Sequence, residues 1–137
     1  MLMENEITLS LWDWVKDWDE ITVLYHEREL DAPPFAILPK LGVVARINGE
    51  IVGTVWLYMD NSCSVCFPHW LVTKRGLNLH IARKVAKLME QFITAEAFHC
   101  GYRYAYTGFA TETLANEAER LGYVPIGKQF VMLKILR

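Results

Sequence analysis

The stretch His69-Trp-Leu-Val-Thr-Lys-Arg-Gly-Leu-Asn-Leu-His80 decides how the rest of the chain is read. Its first half continues an extended run that begins near Ser62. Its second half opens a long pattern in which Leu79, Ala82, Val85, Leu88, Met89, Phe92, Ile93 and Ala97 share one broad face. Arg83, Lys84, Lys87 and Glu90 fall mostly on the opposite face, and Gly101 stands where a helix C-terminus favours it. Lys74-Arg75-Gly76 is thus a junction from strand to helix. A helix start offers unpaired N–H groups and the positive end of the helix dipole, and here two cations stand beside it. That combination suits a phosphate, and Gly76 lets the backbone come close or turn sharply. The same residues also suit a plain turn carrying two solvated basic side chains.

Upstream of the junction, Val43, Val44, Ile47, Ile51, Val52, Val55, Trp56 and Leu57 are β-branched or bulky, and Asn48-Gly49 separates two runs. An Asn-Gly pair suits a type I′ turn, which needs positive φ at both central residues, so a hairpin is predicted from Gly42 to Met59. Further upstream, Glu6 to Ser10 reads as a first strand. Leu11, Trp14 or Val15, Trp18, Ile21 and Tyr25 then give the stripe of an amphipathic helix, broken by Asp31-Ala-Pro-Pro. Downstream, Tyr102 to Phe109 reads as a strand, Glu112 to Leu121 as a short helix stopped by Gly122, and Lys128 to Leu136 as a last strand. This order predicts an α+β fold over residues 1–137 as a single domain, with a mixed, mostly antiparallel central sheet flanked by helices.

Composition narrows the function. The chain has 137 residues, fourteen Lys plus Arg against sixteen Asp plus Glu, and a net charge of −2. That balance lacks the basic field of a duplex nucleic-acid binder, and no nucleic-acid partner is expected. With 53% hydrophobic and 22% charged residues, the chain is not disordered. No apolar stretch approaches the ~20 residues of a membrane span, and the first residues carry Glu4 and Glu6 without the basic region of a signal peptide, so a cytoplasmic location is expected. Three cysteines are too few and odd in number for a disulfide scaffold, so a reducing compartment fits best.

Cys63-Ser-Val-Cys66, with His69 and then His99-Cys100, has a spacing that zinc sites use. On a strand, residues three apart point to opposite faces, and no second pair closes the tetrahedron, so no metal is expected. Trp12, Trp14 and Trp18 span more than one helical face. At least one is then exposed, where it either packs at an edge or anchors a protein partner.

The order of elements and the central junction resemble the GNAT acyltransferase superfamily. Ile47-Asn-Gly-Glu-Ile-Val-Gly53 is similar to that family's hairpin ending in Val-Gly, Arg75-Gly76 to the start of its coenzyme A loop, and Glu119-Arg-Leu-Gly-Tyr123 to its Leu-Gly-aromatic turn. The stretch from Tyr25-His26-Glu27 through Pro34-Phe35 to Leu38-Pro39 is similar to small GNAT proteins of bacteriophage genomes. The resemblance implies an acetyl-CoA-dependent N-acetyltransferase, found in the host cytoplasm or, if phage-encoded, in a virion. It acts on a small-molecule or protein amine, by direct transfer through a tetrahedral intermediate; an oligomer is compatible with it.

The resemblance also implies where the site lies. The pyrophosphate falls to Lys74, Arg75, Gly76, Leu77, Asn78, Leu79 and His80. The thioester carbonyl falls to backbone N–H groups of Trp70, Leu71 and Val72 on a strand that splays from its neighbour. His69 is the first candidate base, Tyr106 a candidate acid, and His26 and Glu112 are weaker alternatives. The chain departs from the family's pattern at specific positions. Its loop, Gln or Arg, two residues, Gly, one residue, then Gly or Ala, meets Asn78 and His80 at the small positions when anchored on Arg75. Anchored on Gly76, the second small position falls at Asn78 and the first position is Thr73. The family's acidic Tyr falls at Ala118. These departures favour the alternative, a GNAT-like structural or interaction protein without catalysis.

Overall fold

The computed structural model describes residues 6–109, 111–129 and 132–137. The chain divides into two compact units, Met1–Tyr106 and Thr107–Arg137. The first carries a five-stranded sheet in the order β1-β2-β3-β4-β5, with β1 at Ile7–Leu11, β2 at Gly42–Ile47, β3 at Glu50–Met59, β4 at Val65–Thr73 and β5 at Tyr104–Ala105. The first three pairings are antiparallel, and β4 runs parallel to β5. Helix α1 (Trp18–Glu27) lies against one face and α2 (Leu79–His99) against the other.

Burial on both faces explains why β3 reads as a nearly continuous apolar run. Val43, Ala45, Val52, Leu57 and Cys66 pack against Val85, Met89, Ile93 and Ala97 of α2. Val44, Ile51, Trp56 and Val72 pack against Ile21, Leu24 and Tyr25 of α1. The hairpin turns as predicted, with Asn48 at φ 52° and Gly49 at φ 81°. The Val52-Gly53 pair has a packing cause: a Cβ on Gly53 would lie 2.9 Å from Val85 Cγ1 and Met89 Cε, so only glycine lets α2 settle this close.

Several boundaries differ from the sequence reading. The first helix begins at Trp18, and Leu11 belongs to β1. Between them the Asp13 carboxylate accepts the N–H groups of Val15 and Lys16, both at 3.0 Å, and Asp17 Oδ2 accepts the N–H of Asp13 at 2.7 Å. These side-chain bonds offer the backbone a turn in place of a helix. Leu11, Trp14 and Val15 are consequently exposed, Trp14 by 55%, whereas Trp12 is buried. The strand predicted from Ser62 starts at Val65, because the Asp60 carboxylate folds Ser62 and Cys63 into a turn. Cys63 is exposed on that turn and Cys66 is buried.

The strand predicted over Tyr102 to Phe109 shrinks to Tyr104–Ala105, extended by one bond from the Tyr106 N–H to the Cys66 carbonyl at 2.8 Å. In the second unit, α3 covers Glu112–Glu119 with Thr111 as its N-cap. The predicted last strand, Lys128 to Leu136, is not formed in its described residues, which are exposed; Phe130 and Val131 lie outside the described residues. An alternating apolar pattern makes a strand only where a ladder partner exists, and α3 offers no sheet edge.

Candidate functional site

Strand β4 carries the features on which the site is built. Trp56 pairs with His69 and Thr54 with Val72, so Trp70 and Leu71 stand opposite the single Val55. This is a β-bulge, which takes residues out of the ladder and re-aims the strand. Trp70 has φ 65°, a left-handed conformation that bulges of this kind ordinarily give to glycine. For an L-residue that conformation costs about 1–2 kcal/mol, so its neighbours must hold it. The Tyr25 hydroxyl donates to the Trp70 carbonyl. The Trp70 indole N–H donates to the Tyr58 hydroxyl at 3.0 Å, which in turn donates to the Ile37 carbonyl at 2.8 Å.

The other edge of β4 loses its partner early. Pairing with β5 spans Val65↔Tyr104 and Cys66↔Ala105, while β4 continues to Thr73. The ladder of β4 with β5 therefore covers only the first two residues of β4, with the Cys66 carbonyl accepting the Tyr106 N–H at 2.8 Å beyond it.

His69 lies within the half-buried part of β4, its ring edge-on to Trp70 at 4.9 Å and to Tyr58 at 6.4 Å. Burial pushes its pKa below the ordinary 6.5, against a smaller opposing effect from a hydrogen bond to the Pro68 backbone. The imidazole is therefore neutral, the form that can take a proton, across the neutral range. Tyr106 packs edge-on against Phe67 at 6.0 Å, at the end of β4 where pairing with β5 stops. Leu71 is exposed and Val72 is buried in the core on the α1 side.

The junction itself is more tightly bound than either reading of its sequence proposed. A cavity of about 240 Å³ lies between the hairpin turn, including Asn48 and Glu50, and the loop Lys74 to Leu77. Lys74 Nζ sits 2.7 Å from Glu50 Oε1 and 3.7 Å from Glu27 Oε1, so its charge is already matched, and the Glu50 contact raises its pKa. Arg75 Nη1 donates to the Glu27 carbonyl at 3.0 Å, and Arg28 Nε donates to the Thr73 carbonyl at 2.6 Å. Gly76 has φ 89°. Asn78 is the N-cap of α2: its side chain accepts the His80 N–H at 2.8 Å and so takes one donor of the helix start. Leu79 is exposed, and Leu77 packs against the core on the α2 side.

His26 is exposed on α1. In the second unit Glu112 is exposed and lies 4.0 Å from Lys128. There Ala118 is buried and accepts the N–H groups of Leu121 and Tyr123, with Gly122 at φ 98°, which forms the predicted turn. The sequence reading missed Tyr25, Tyr58, Glu27 and Glu50. Tyr25 stood in an apolar stripe and, with Glu27, in the stretch similar to phage proteins, and Glu50 in the hairpin motif, but nothing in those patterns gave any of them a role at the site. Among the described residues no group of three His, Cys, Asp or Glu side chains could hold a metal ion. No helix of the described residues is long and apolar enough to cross a membrane.

No known family profile and no curated protein matches the sequence. Solved structures do match the fold. The glucosamine-6-phosphate N-acetyltransferase of Arabidopsis thaliana is 9% identical with a TM-score of 0.70, over 93% of this chain and 97% of that one. The diaminobutyrate acetyltransferase of Paenibacillus lautus, solved with L-2,4-diaminobutyric acid and coenzyme A, is 18% identical with a TM-score of 0.68, over 86% of this chain and 74% of that one. A protein of Bacillus halodurans described as a transcriptional regulator is 13% identical with a TM-score of 0.73, over 93% and 99%. The fold is that of the GNAT acetyltransferases, a mixed sheet, mostly antiparallel, with flanking helices.

Proposed function

We propose that this chain is an acetyl-CoA-dependent N-acetyltransferase acting on a primary amine of a small molecule or a protein. The observation that carries the reading is β4: its ladder with β5 covers only Val65 and Cys66, and its ladder with β3 is interrupted by a left-handed bulge at Trp70. Main-chain N–H groups released from a ladder are available to polarise a thioester carbonyl, which is where negative charge develops in acyl transfer. Trp70 and Leu71, which stand in the bulge, are the residues assigned to it; Val72, which the resemblance also offers, pairs with Thr54 in the ladder. Neutral His69 takes the proton as the amine nitrogen attacks the carbonyl carbon. The carbon–sulfur bond breaks, and Tyr106 is the candidate donor to the departing thiolate.

The junction fits a diphosphate in its donor set, Arg75, Lys74 and the loop from Gly76 to His80, on one condition: Glu50 must release Lys74. Glu50 and Lys74 are both accessible to water, 58% and 29% at the side chain. Exposed pairs of this kind are weak, so exchange for a diphosphate is feasible. The prior pairing of Lys74 and the absence of a phenol at Ala118 favour a second reading, a binding protein of this fold without catalysis.

Calorimetric titration with acetyl-CoA, with the Arg75→Glu variant alongside, separates the two. Binding in the micromolar range that weakens at least tenfold in the variant supports the first reading and directs a thiol-release screen over amines. Well-folded protein that does not bind acetyl-CoA overturns it and leaves the second.

A further inference from the structure

We propose that Tyr25 and Tyr58 are positioning residues for acetyl transfer, holding Trp70 in the left-handed conformation that keeps the backbone N–H groups of the β4 bulge available to a thioester carbonyl. The inference rests on the acetyl-transfer reading and adds to it the device that sets the geometry.

Tyr25 belongs to α1 and reaches a residue 45 positions away in sequence, where its hydroxyl donates to the Trp70 carbonyl. Tyr58 belongs to β3, and its hydroxyl both accepts from the Trp70 indole N–H and donates to the Ile37 carbonyl. The two phenols therefore grip Trp70 at both ends, one at the main chain and one at the side-chain tip. Every polar group in this relay is used in a fixed direction. Tyr58 has one proton to give and gives it to Ile37, so the indole must be the donor to it.

The conformation held is one that a tryptophan does not take unaided. Glycine would adopt it freely, and a bulge with glycine would need no clamp. A bulky residue in a strained conformation, fixed by two side chains from different elements, lies on the strand that runs on past its pairing with β5. Burial raises the pKa of both phenols, so both remain donors throughout the neutral range. Without the Tyr25 hydroxyl, the Trp70 carbonyl loses this partner, and the backbone is free to relax toward the extended region. That relaxation rotates the peptide planes on either side of Trp70 and moves their N–H groups.

The test uses full-length protein and acetyl-CoA labelled with ¹³C at the acetyl carbonyl, read by difference infrared spectroscopy beside calorimetry and steady-state rates. The wild type is expected to lower the carbonyl stretch on binding. Tyr25→Phe is expected to bind acetyl-CoA within about threefold of wild type, to return the stretch toward its free position, and to lose roughly tenfold or more in kcat with KM for acetyl-CoA little changed. Combining Tyr25→Phe with Trp70→Gly is expected to recover the lowered stretch, because glycine holds the conformation without a clamp. A merely structural clamp would lower Tm and leave the stretch and kcat unchanged, and that result overturns the proposal. Tyr58→Phe undergoes the same measurements, so a Tyr25 variant that fails to fold does not shelter the idea. Wild-type protein that binds acetyl-CoA without a change in the stretch overturns this inference alone. Wild-type protein that does not bind overturns the acetyl-transfer reading, and this inference falls with it.

Discussion

His69 and Lys74 show how a single side chain is tuned by what surrounds it. Burial favours the neutral imidazole, so the folded pKa of His69 lies below 6.5. A base must be unprotonated, and the acid limb of kcat/KM against pH is therefore expected to fall below 6.5; His69→Gln removes that limb and lowers the rate by about 10²-fold. A limb unchanged in the variant assigns the base elsewhere. Stability has the same sign. The unfolded chain binds the proton more readily, so the contribution of His69 is complete above its unfolded pKa and is lost as pH falls through the folded value. Lys74 is tuned in the opposite sense, its ammonium stabilised by Glu50. Glu50→Gln removes the nearer of the two carboxylates beside Lys74, leaving Glu27 at 3.7 Å, and acetyl-CoA affinity is expected to rise roughly two- to fivefold at low salt, the scale of an exposed ion pair. The gain shrinks as ionic strength rises. Calorimetry at two salt concentrations checks both points, and weaker binding in the variant would mean that Glu50 positions Lys74 rather than competing for it.

At the scale of elements, the contact between α2 and the hairpin is the most exacting. A Cβ on Gly53 meets Val85 and Met89 at 2.9 Å, deep in the core on the α2 side. Gly53→Ala is expected to destabilise by about 1–3 kcal/mol through overpacking, measured by chemical denaturation. An unchanged midpoint would show that α2 can shift without cost. The hairpin was legible because Asn48-Gly49 dictates its turn locally, and α2 because its apolar face repeats over six turns. The start of α1 was not legible. Trp14 and Val15 continue the helical stripe, yet Asp13 and Asp17 close a turn whose bonds compete with it. The site was legible only in part. His69 and the junction stood out by residue type, but Tyr25 meets Trp70 and Arg75 meets Glu27 across 45 and 48 positions. No local pattern encodes such pairs, and a bulge that slips the register by one residue between β3 and β4 leaves no mark on periodicity.

For the molecule as a whole, fold similarity at 9–18% identity shows that the architecture tolerates nearly complete replacement of its side chains. The bulge, the part of β4 that runs past its pairing with β5 and the junction all lie within Met1–Tyr106. The unit Thr107–Arg137 is below the size of roughly 40 residues at which a chain holds a core unaided. Among its described residues only Ala118 is buried, and α3 has eight residues, short for an isolated helix in water. A single domain over residues 1–137 therefore requires α3 to draw its stability from the rest of the chain. Hydrogen exchange on the intact protein tests this. In a single cooperative domain the protected amides of α3 are expected to exchange with the same dependence on denaturant as those of α2 around Val85 and Met89, and calorimetry shows one transition. Exchange of α3 at low denaturant, well before α2 opens, would show instead that residues after Tyr106 form an appendage, and the functional residues would then be sought only in the first unit.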